Sequence, residues 1–155
     1  MNWIMHDFNF LTDKDQEELL RLIDTLHWEK GRQETGYLKS LVPVKDSEHL
    51  KDLVARSLCE LGQEDLDCYD CYILKYPTGS FIPPHKDKGR LFGKKHWRLN
   101  ALIAHDHTGG QLVIEDRQIN LLPGDALVFT PDEMTHSVSE ITNGIRYVWS
   151  VGTML

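Results

Sequence analysis

Apolar residues recur along the chain with two different periods, and the change falls near residue 68. In the first part Leu19, Leu22, Ile23 and Leu26 are spaced i, i+3, i+4, i+7, as one buried helical face requires. Thr12 or Asp13, whose side chains can accept a backbone N–H, is placed to cap that helix. Ser47 stands in the same relation to Leu50, Leu53, Val54, Leu58 and Leu61, which predicts a second helix. Residues 28–43 have no period, contain Gly31, Gly36 and Pro43, and are expected to be irregular.

From Cys68 onward the apolar pattern is short and alternating. Runs at 71–76, 81–86, 97–104, 111–114, 118–121, 126–129, 136–140 and 145–151 predict strands. Turn chemistry separates them: Pro77-Thr78-Gly79, Thr108-Gly109-Gly110, Glu115-Asp116, Pro123-Gly124-Asp125, Thr130-Pro131-Asp132 and Thr142-Asn143-Gly144. Two helices followed by a succession of short strands predict a mainly β fold with N-terminal helices. The expected architecture is a double-stranded β-helix, or jelly roll, with the helices covering the outer face of one sheet. A chain of 155 residues suits a single domain, with 1–67 as a helical preface and 68–155 as the jelly-roll core.

Composition narrows the partners. No apolar run approaches the ~20 residues that span a bilayer. No membrane partner is therefore expected, and the first residues, Met1 to Phe10, lack the basic region and following apolar stretch of a secretory signal, so no such signal is expected. The net charge of −7 argues against a general nucleic-acid binder, which presents a basic face to phosphates. Basic residues cluster only locally, from Lys86, Lys88 and Arg90 to Lys94 and Lys95. The cysteines are three, Cys59, Cys68 and Cys71, an odd number that suggests reduced thiols and a cytoplasmic location. Cys68 and Cys71 form a C-x-x-C with no second pair to complete a zinc site, and they are read as packing residues.

The candidate chemistry lies in the strand region. In His85-Lys86-Asp87 an extended backbone turns the imidazole and the carboxylate the same way, so both can reach one ion. His136 can close that site from another strand. Two histidines and one carboxylate on one face leave the remaining positions of an octahedral iron(II) open. A 2-oxo acid can chelate there, with one position left for dioxygen. The far carboxylate of 2-oxoglutarate needs a fixed cation, and Arg146, across the Thr142-Asn143-Gly144 turn from His136, can supply a fork of donors. That turn is expected to set the Arg146 strand beside the His136 strand. Strand parity puts Arg98, Asn100 and Leu102 on one face of their strand, and Trp97, Leu99, Ala101 and Ile103 on the other. Tyr76 shares a face with Leu74 and Tyr72, and its phenol can bond the co-substrate. Arg98 is then the rival of Arg146 for the distal carboxylate, or a substrate anchor, and Asn100 on the same face is a further candidate to bind 2-oxoglutarate.

His85-x-Asp87 … His136 … Arg146 resembles the 2-oxoglutarate/iron(II) oxygenase superfamily over residues 72–152. The small prolyl-hydroxylase-like branch is the nearest in look. The lead-in Tyr76-Pro77-Thr78-Gly79, then Gly109-Gly110-Gln111-Leu112, Leu122-Pro123-Gly124-Asp125-Ala126-Leu127-Val128-Phe129, His136-Ser137-Val138 and Arg146-Tyr147-Val148-Trp149-Ser150-Val151 are similar to that branch's successive strands. Plant-type members carry Ser where Val148 stands, and the Asn-x-Tyr lead-in and second downstream arginine of the DNA-dealkylating branch are missing. The resemblance implies a hydroxylase that uses iron(II), 2-oxoglutarate and dioxygen and releases succinate and carbon dioxide. Asp87 occupies the position that halogenating members leave without a carboxylate.

Other histidines read differently. His105-Asp106-His107 runs into Thr108-Gly109-Gly110 and reads as a solvated loop. His96 reads as a loop residue, and His6, His27 and His49 have no partner at ligand spacing. The loop 88–95 reads as a solvated loop or a mobile lid. Arg32, Gln33, Tyr37 and Arg90 are placed to meet a substrate, expected to be a small polar molecule, an amino acid or a peptide side chain. The competing readings are a cupin-like metal enzyme without 2-oxoglutarate and a catalytically silent module that binds metal or 2-oxoglutarate.

Overall fold

The structure is a computed structural model, and it describes residues 4–88 and 93–155. Arg90, and the central part of the 88–95 loop, lie outside the described residues.

Helix α1 (Asp13–Ile23) begins at a reciprocal cap. The Thr12 hydroxyl accepts the Asp15 N–H at 3.1 Å, and the Asp15 carboxylate accepts the Thr12 N–H at 2.8 Å. Helix α2 (Glu48–Leu61) starts on Ser47, whose hydroxyl accepts the Leu50 N–H, and ends on Gly62 in the left-handed region at φ 77°. The other oxygen of the buried Asp15 carboxylate bonds His49 Nε2 at 2.7 Å and an Arg56 guanidinium nitrogen at 2.6 Å. One carboxylate thus caps α1 and ties it to α2. This gives His49 a structural partner that sequence spacing did not reveal.

The strands are β1 (Met5–Asp7), β2 (Glu29–Lys30), β3 (Leu38–Leu41), β4 (Asp70–Tyr76), β5 (Ile82–His85), β6 (His96–Ile103), β7 (His107–Gly109), β8 (Leu112–Ile114), β9 (Arg117–Ile119), β10 (Ala126–Phe129), β11 (His136–Val138), β12 (Ile141–Gly144) and β13 (Arg146–Met154). The main sheet runs β1-β10-β6-β13-β4-β3-β2; a smaller one runs β5-β11-β8-β9, and β12 pairs with β7. All pairings are antiparallel. This is the expected jelly roll.

Alternation along the central strands builds two cores. Leu99, Ala101 and Ile103 of β6, with Tyr147, Trp149 and Val151 of β13, pack with Leu19, Leu53 and Leu58 of the helices. Burying each such aliphatic side chain contributes about 1.5–3 kcal/mol. The indole N–H of Trp149 donates to the Ser57 hydroxyl at 3.1 Å, so even the polar atom of this core is satisfied. On the other face Leu102, Val148 and Leu127 meet Ile82, Leu112, Ile114 and Val138 of the smaller sheet.

Several local expectations are corrected. Residues 28–43 are not wholly irregular, and the 1–67 preface is not purely helical: β1, β2 and β3 extend the main sheet at both edges. β1 is held by Asp125 of the Pro-Gly-Asp turn, whose carboxylate bonds His6 Nε2 at 3.0 Å, the Asn9 N–H at 3.1 Å and the Leu122 N–H at 3.2 Å. His96 is the first residue of β6 rather than a loop residue, and His107 begins β7. The Thr142-Asn143-Gly144 segment is strand β12, and the chain turns at Gly144 into the main sheet. At Gly144 φ is 75° and a Cβ would lie 2.2 Å from the Asp106 carbonyl oxygen, so only glycine fits. Arg146 therefore does not lie on a strand beside His136. It stands on the opposite sheet, in register with Tyr76.

Candidate metal centre and cavity

Antiparallel pairing of β5 with β11 puts His85 directly opposite His136, with ring centroids 4.2 Å apart. Asp87 leaves the end of β5 and is pinned by its N–H, which donates to the Pro131 carbonyl at 2.9 Å. One Asp87 oxygen then lies 3.2 Å from His85 Nε2 and 3.5 Å from His136 Nε2. The potential ligand atoms of the three residues all fall within 4.8 Å of one another.

The backbone sets the state of both imidazoles. His85 Nδ1 is 2.9 Å from the Pro83 carbonyl, and His136 Nδ1 is 2.8 Å from the Met134 carbonyl. A carbonyl only accepts, so each Nδ1 carries a hydrogen and each Nε2 is turned toward Asp87. Burial works against charge on Asp87, but hydrogen bonds from His136 and His85 outweigh it and hold the carboxyl well below the usual range. Two nitrogen donors and one charged oxygen, with the remaining side open to a cavity, fit a metal with vacant positions.

That cavity, of about 170 Å³, lies between the sheets and is also lined by Tyr76, Arg98, Asn100 and Arg146. The two arginines differ. Arg98 is committed: its guanidinium donates to Asp70 at 2.6 Å and to the Ser150 hydroxyl at 2.8 Å. Gly152 makes room beneath it, since a Cβ there would come within 2.3 Å of the guanidinium. Arg146 is buried, with its guanidinium carbon 4.9 Å from the Tyr76 ring centroid. Among the described residues no carboxylate pairs with Arg146. Burial lowers its pKa and pushes the Tyr76 phenol up to about 12. Gly110 packs on its stem, where a Cβ would sit 3.0 Å from Arg146 Cδ.

Arg32 and Tyr37 also reach the cavity. The Tyr37 hydroxyl accepts the Arg32 N–H at 2.9 Å and donates to the Gln33 side chain, and its ring stacks on Tyr76 at 5.6 Å. Gly31 is required below that ring, because a Cβ would lie 2.2 Å from it. Lys39 and Ser150 line the cavity too and were not singled out in the sequence. Strand parity counted from Arg146 reaches Ser150, whereas Lys39 lies in a stretch without a period.

No protein-family model matches the chain. Over 170 aligned residues it is 26% identical to a PKHD-type hydroxylase of Acinetobacter baylyi, covering 93% of this chain and 74% of that one. A viral collagen prolyl hydroxylase from Paramecium bursaria Chlorella virus-1, solved as a 2-oxoglutarate complex, superposes with a TM-score of 0.74 at 14% identity, over 98% of this chain and 95% of that one. The chain shares the fold of this hydroxylase. A Pseudomonas putida prolyl-4-hydroxylase superposes at a TM-score of 0.68 and 21% identity, over 99% and 92% of the two chains. In this fold the strand register sets His85 against His136, and both line the cavity. Among the described residues no helix is long and apolar enough to cross a membrane.

Proposed function

We propose that His85, Asp87 and His136 hold iron(II), that Arg146 and Tyr76 seat the distal carboxylate of 2-oxoglutarate, and that the protein hydroxylates a small polar molecule, an amino acid or a peptide side chain. The observation that carries this reading is the Arg146 guanidinium, buried in the same cavity as the triad against Tyr76 and with no carboxylate partner among the described residues. A buried cation is costly unless an anion meets it, so the site is shaped for a ligand that brings one. When bound, iron(II) with 2-oxoglutarate supplies the oxidising chemistry: one atom of dioxygen goes to succinate, the other to the hydroxylated product, and carbon dioxide leaves.

The chain's own residues orient and shield that chemistry. His85 and His136, each oriented through Nδ1 by a backbone carbonyl, present Nε2, and Asp87 contributes a carboxylate whose charge opposes the metal's. Tyr76, with its pKa pushed up to about 12, keeps its proton at neutral pH and can donate it in a hydrogen bond. Leu74, Leu112 and Val138 supply apolar wall that limits water. A cupin-like enzyme without 2-oxoglutarate has no use for the unpaired guanidinium. Free Cys59, Cys68 and Cys71 support a cytoplasmic location. Anaerobic addition of iron(II) and 2-oxoglutarate should give a weak metal-to-ligand charge-transfer band in the visible. A protein that binds both without that band, or gives no band at all, is not this oxygenase.

A further inference from the structure

The inner face of the main sheet carries two polar rows, and only one is needed for 2-oxoglutarate. Register sets Arg146 beside Tyr76, then Val148 beside Leu74 and Leu102, then Ser150 beside Tyr72 and Asn100. Four residues along β13 separate the polar rows by about 13 Å. That exceeds the length of a five-carbon diacid, about 7 Å from end to end. A co-substrate seated on Arg146 leaves the second row to another molecule.

Hydrogen bonding fixes what the second row offers. Arg98 has donors only, and it gives one to the Ser150 hydroxyl at 2.8 Å. The hydroxyl must send its own proton elsewhere, and it does so to Asn100 Oδ1 at 2.6 Å. The Asn100 carbonyl is thereby turned to the sheet. Its amide NH2, which has no partner among the described residues, is the group left for the cavity. Beside this row Lys39 lays its ammonium over the Tyr72 ring, 5.3 Å from the centroid. Among the described residues Lys39 has no ion pair. Glu29 faces it across the strand pair without taking it, and Asp70 is held by Arg98 at 2.6 Å. The row thus presents a cation and N–H donors, with Asp70 taken by Arg98 and no ion pair between Glu29 and Lys39, in a chain of net charge −7.

We propose that this row recognises the primary substrate as an anion: Lys39 binds a carboxylate of a small molecule, and the Asn100 amide donates to a second acceptor on it. The assignment rests on the oxygenase reading of the cavity and names the class of substrate it takes. Lys39 and Asn100 are separated by the β4 and β13 strands, about 10 Å at ladder spacing between Tyr72 and Asn100. The substrate is therefore longer than the shortest amino acids.

The test uses the full chain loaded with zinc in place of iron and saturated with 2-oxoglutarate. Free L-amino acids and dipeptides, each as the acid and as its C-terminal amide, are titrated and their binding followed by ligand-observed NMR. At least one acid should bind about tenfold or more tightly than its amide, the worth of a charge-assisted bond. Lys39→Met should erase that preference, and Asn100→Asp should weaken the same acid, with melting temperatures confirming that both variants fold. Free amino acids and dipeptides as separate arms show whether the carboxylate comes from a monomer or a peptide end. Equal binding of acids and amides, a preference for amides, or no binding by any member overturns the proposal. Failure of 2-oxoglutarate itself to bind overturns the oxygenase reading instead.

Discussion

Replacing Arg146 by methionine should affect the free and ligand-bound protein in opposite directions. The guanidinium is buried against Tyr76 without a carboxylate among the described residues, so the free protein bears its desolvation. Exchanging buried charge for an apolar side chain of similar length is often neutral or stabilising by about 1–4 kcal/mol. The ligand-bound protein loses a buried charge-assisted pair, about 2–5 kcal/mol, or roughly 30- to 5,000-fold in affinity. With 2-oxoglutarate at 100 times its dissociation constant, binding stabilises the wild type by about 2.7 kcal/mol. At about 2–4 °C per kcal/mol for a chain of this size, that is a shift of roughly 5–11 °C. A 30-fold weaker variant at the same concentration retains about 0.9 kcal/mol, a shift of roughly 2–4 °C. Differential scanning fluorimetry with zinc in place of iron reads both quantities without turnover. If Arg146→Met keeps the full 2-oxoglutarate shift while Arg98→Met loses it, the roles of the two arginines are reversed and the reasoning from charge pairing is wrong.

Other perturbations have equally defined outcomes. His136→Ala and Asp87→Ala should each lose stoichiometric iron and succinate release while the melting temperature stays close to wild type; a variant with full metal content and turnover would remove the triad. The Asp15 carboxyl is lowered from 3.8 to about 2, because hydrogen bonds from Arg56, the Thr12 backbone and His49 overcome its burial. A depressed folded pKa means stability that is complete above the unfolded value and lost as pH falls through the folded one. Asp15 therefore contributes about 2 kcal/mol that disappears between roughly pH 5 and 2. Asp15→Asn should flatten that acid limb in melting curves, and parallel limbs for the two proteins would refute the assignment. Ser57→Ala leaves the buried Trp149 N–H without its acceptor and should cost about 1–3 kcal/mol in urea unfolding. In Trp149→Phe the same Ser57 change should cost much less, and equal costs would show that the bond contributes nothing.

What could be read from the sequence follows physical rules that act locally. The caps at Thr12 and Ser47, the helix faces behind them and the long strands β4, β6 and β13 were all legible, because side-chain period and cap chemistry depend on near neighbours. The His85, Asp87 and His136 cluster was legible for the same reason: His85 and Asp87 share a face at a spacing of two, and His136 opens a predicted strand after the Thr130-Pro131-Asp132 turn. Strands β1, β2, β3 and β7 were not. They hold two to four residues each without an apolar run of their own, and exist because the main sheet or β12 pairs with them. Arg146 was recognised but misplaced, since the Thr142-Asn143-Gly144 turn chemistry suits a hairpin. The chain instead uses Gly144 to cross between sheets. The preference between Arg146 and Arg98 was invisible for another reason. It depends on Asp70, Ser150 and Gly152, which converge on Arg98 only in three dimensions.

The central position of β13 has a consequence for how the protein is made. It follows every other strand in order of synthesis, yet it lies in the middle of the main sheet, between β6 and β4, and is buried along all but one of its residues. Until it leaves the ribosome, β4 and β6 have no common partner, and each presents an unpaired edge flanked by apolar residues. Pairing of this kind is non-local and slow. Nascent chains should therefore depend on chaperones up to that moment, and any truncation that removes β13 should yield an aggregating polypeptide rather than a smaller folded one. Cavity, helix docking and the seat of Arg146 all form in the same late step, so the appearance of 2-oxoglutarate binding is itself a report that the sheet has closed.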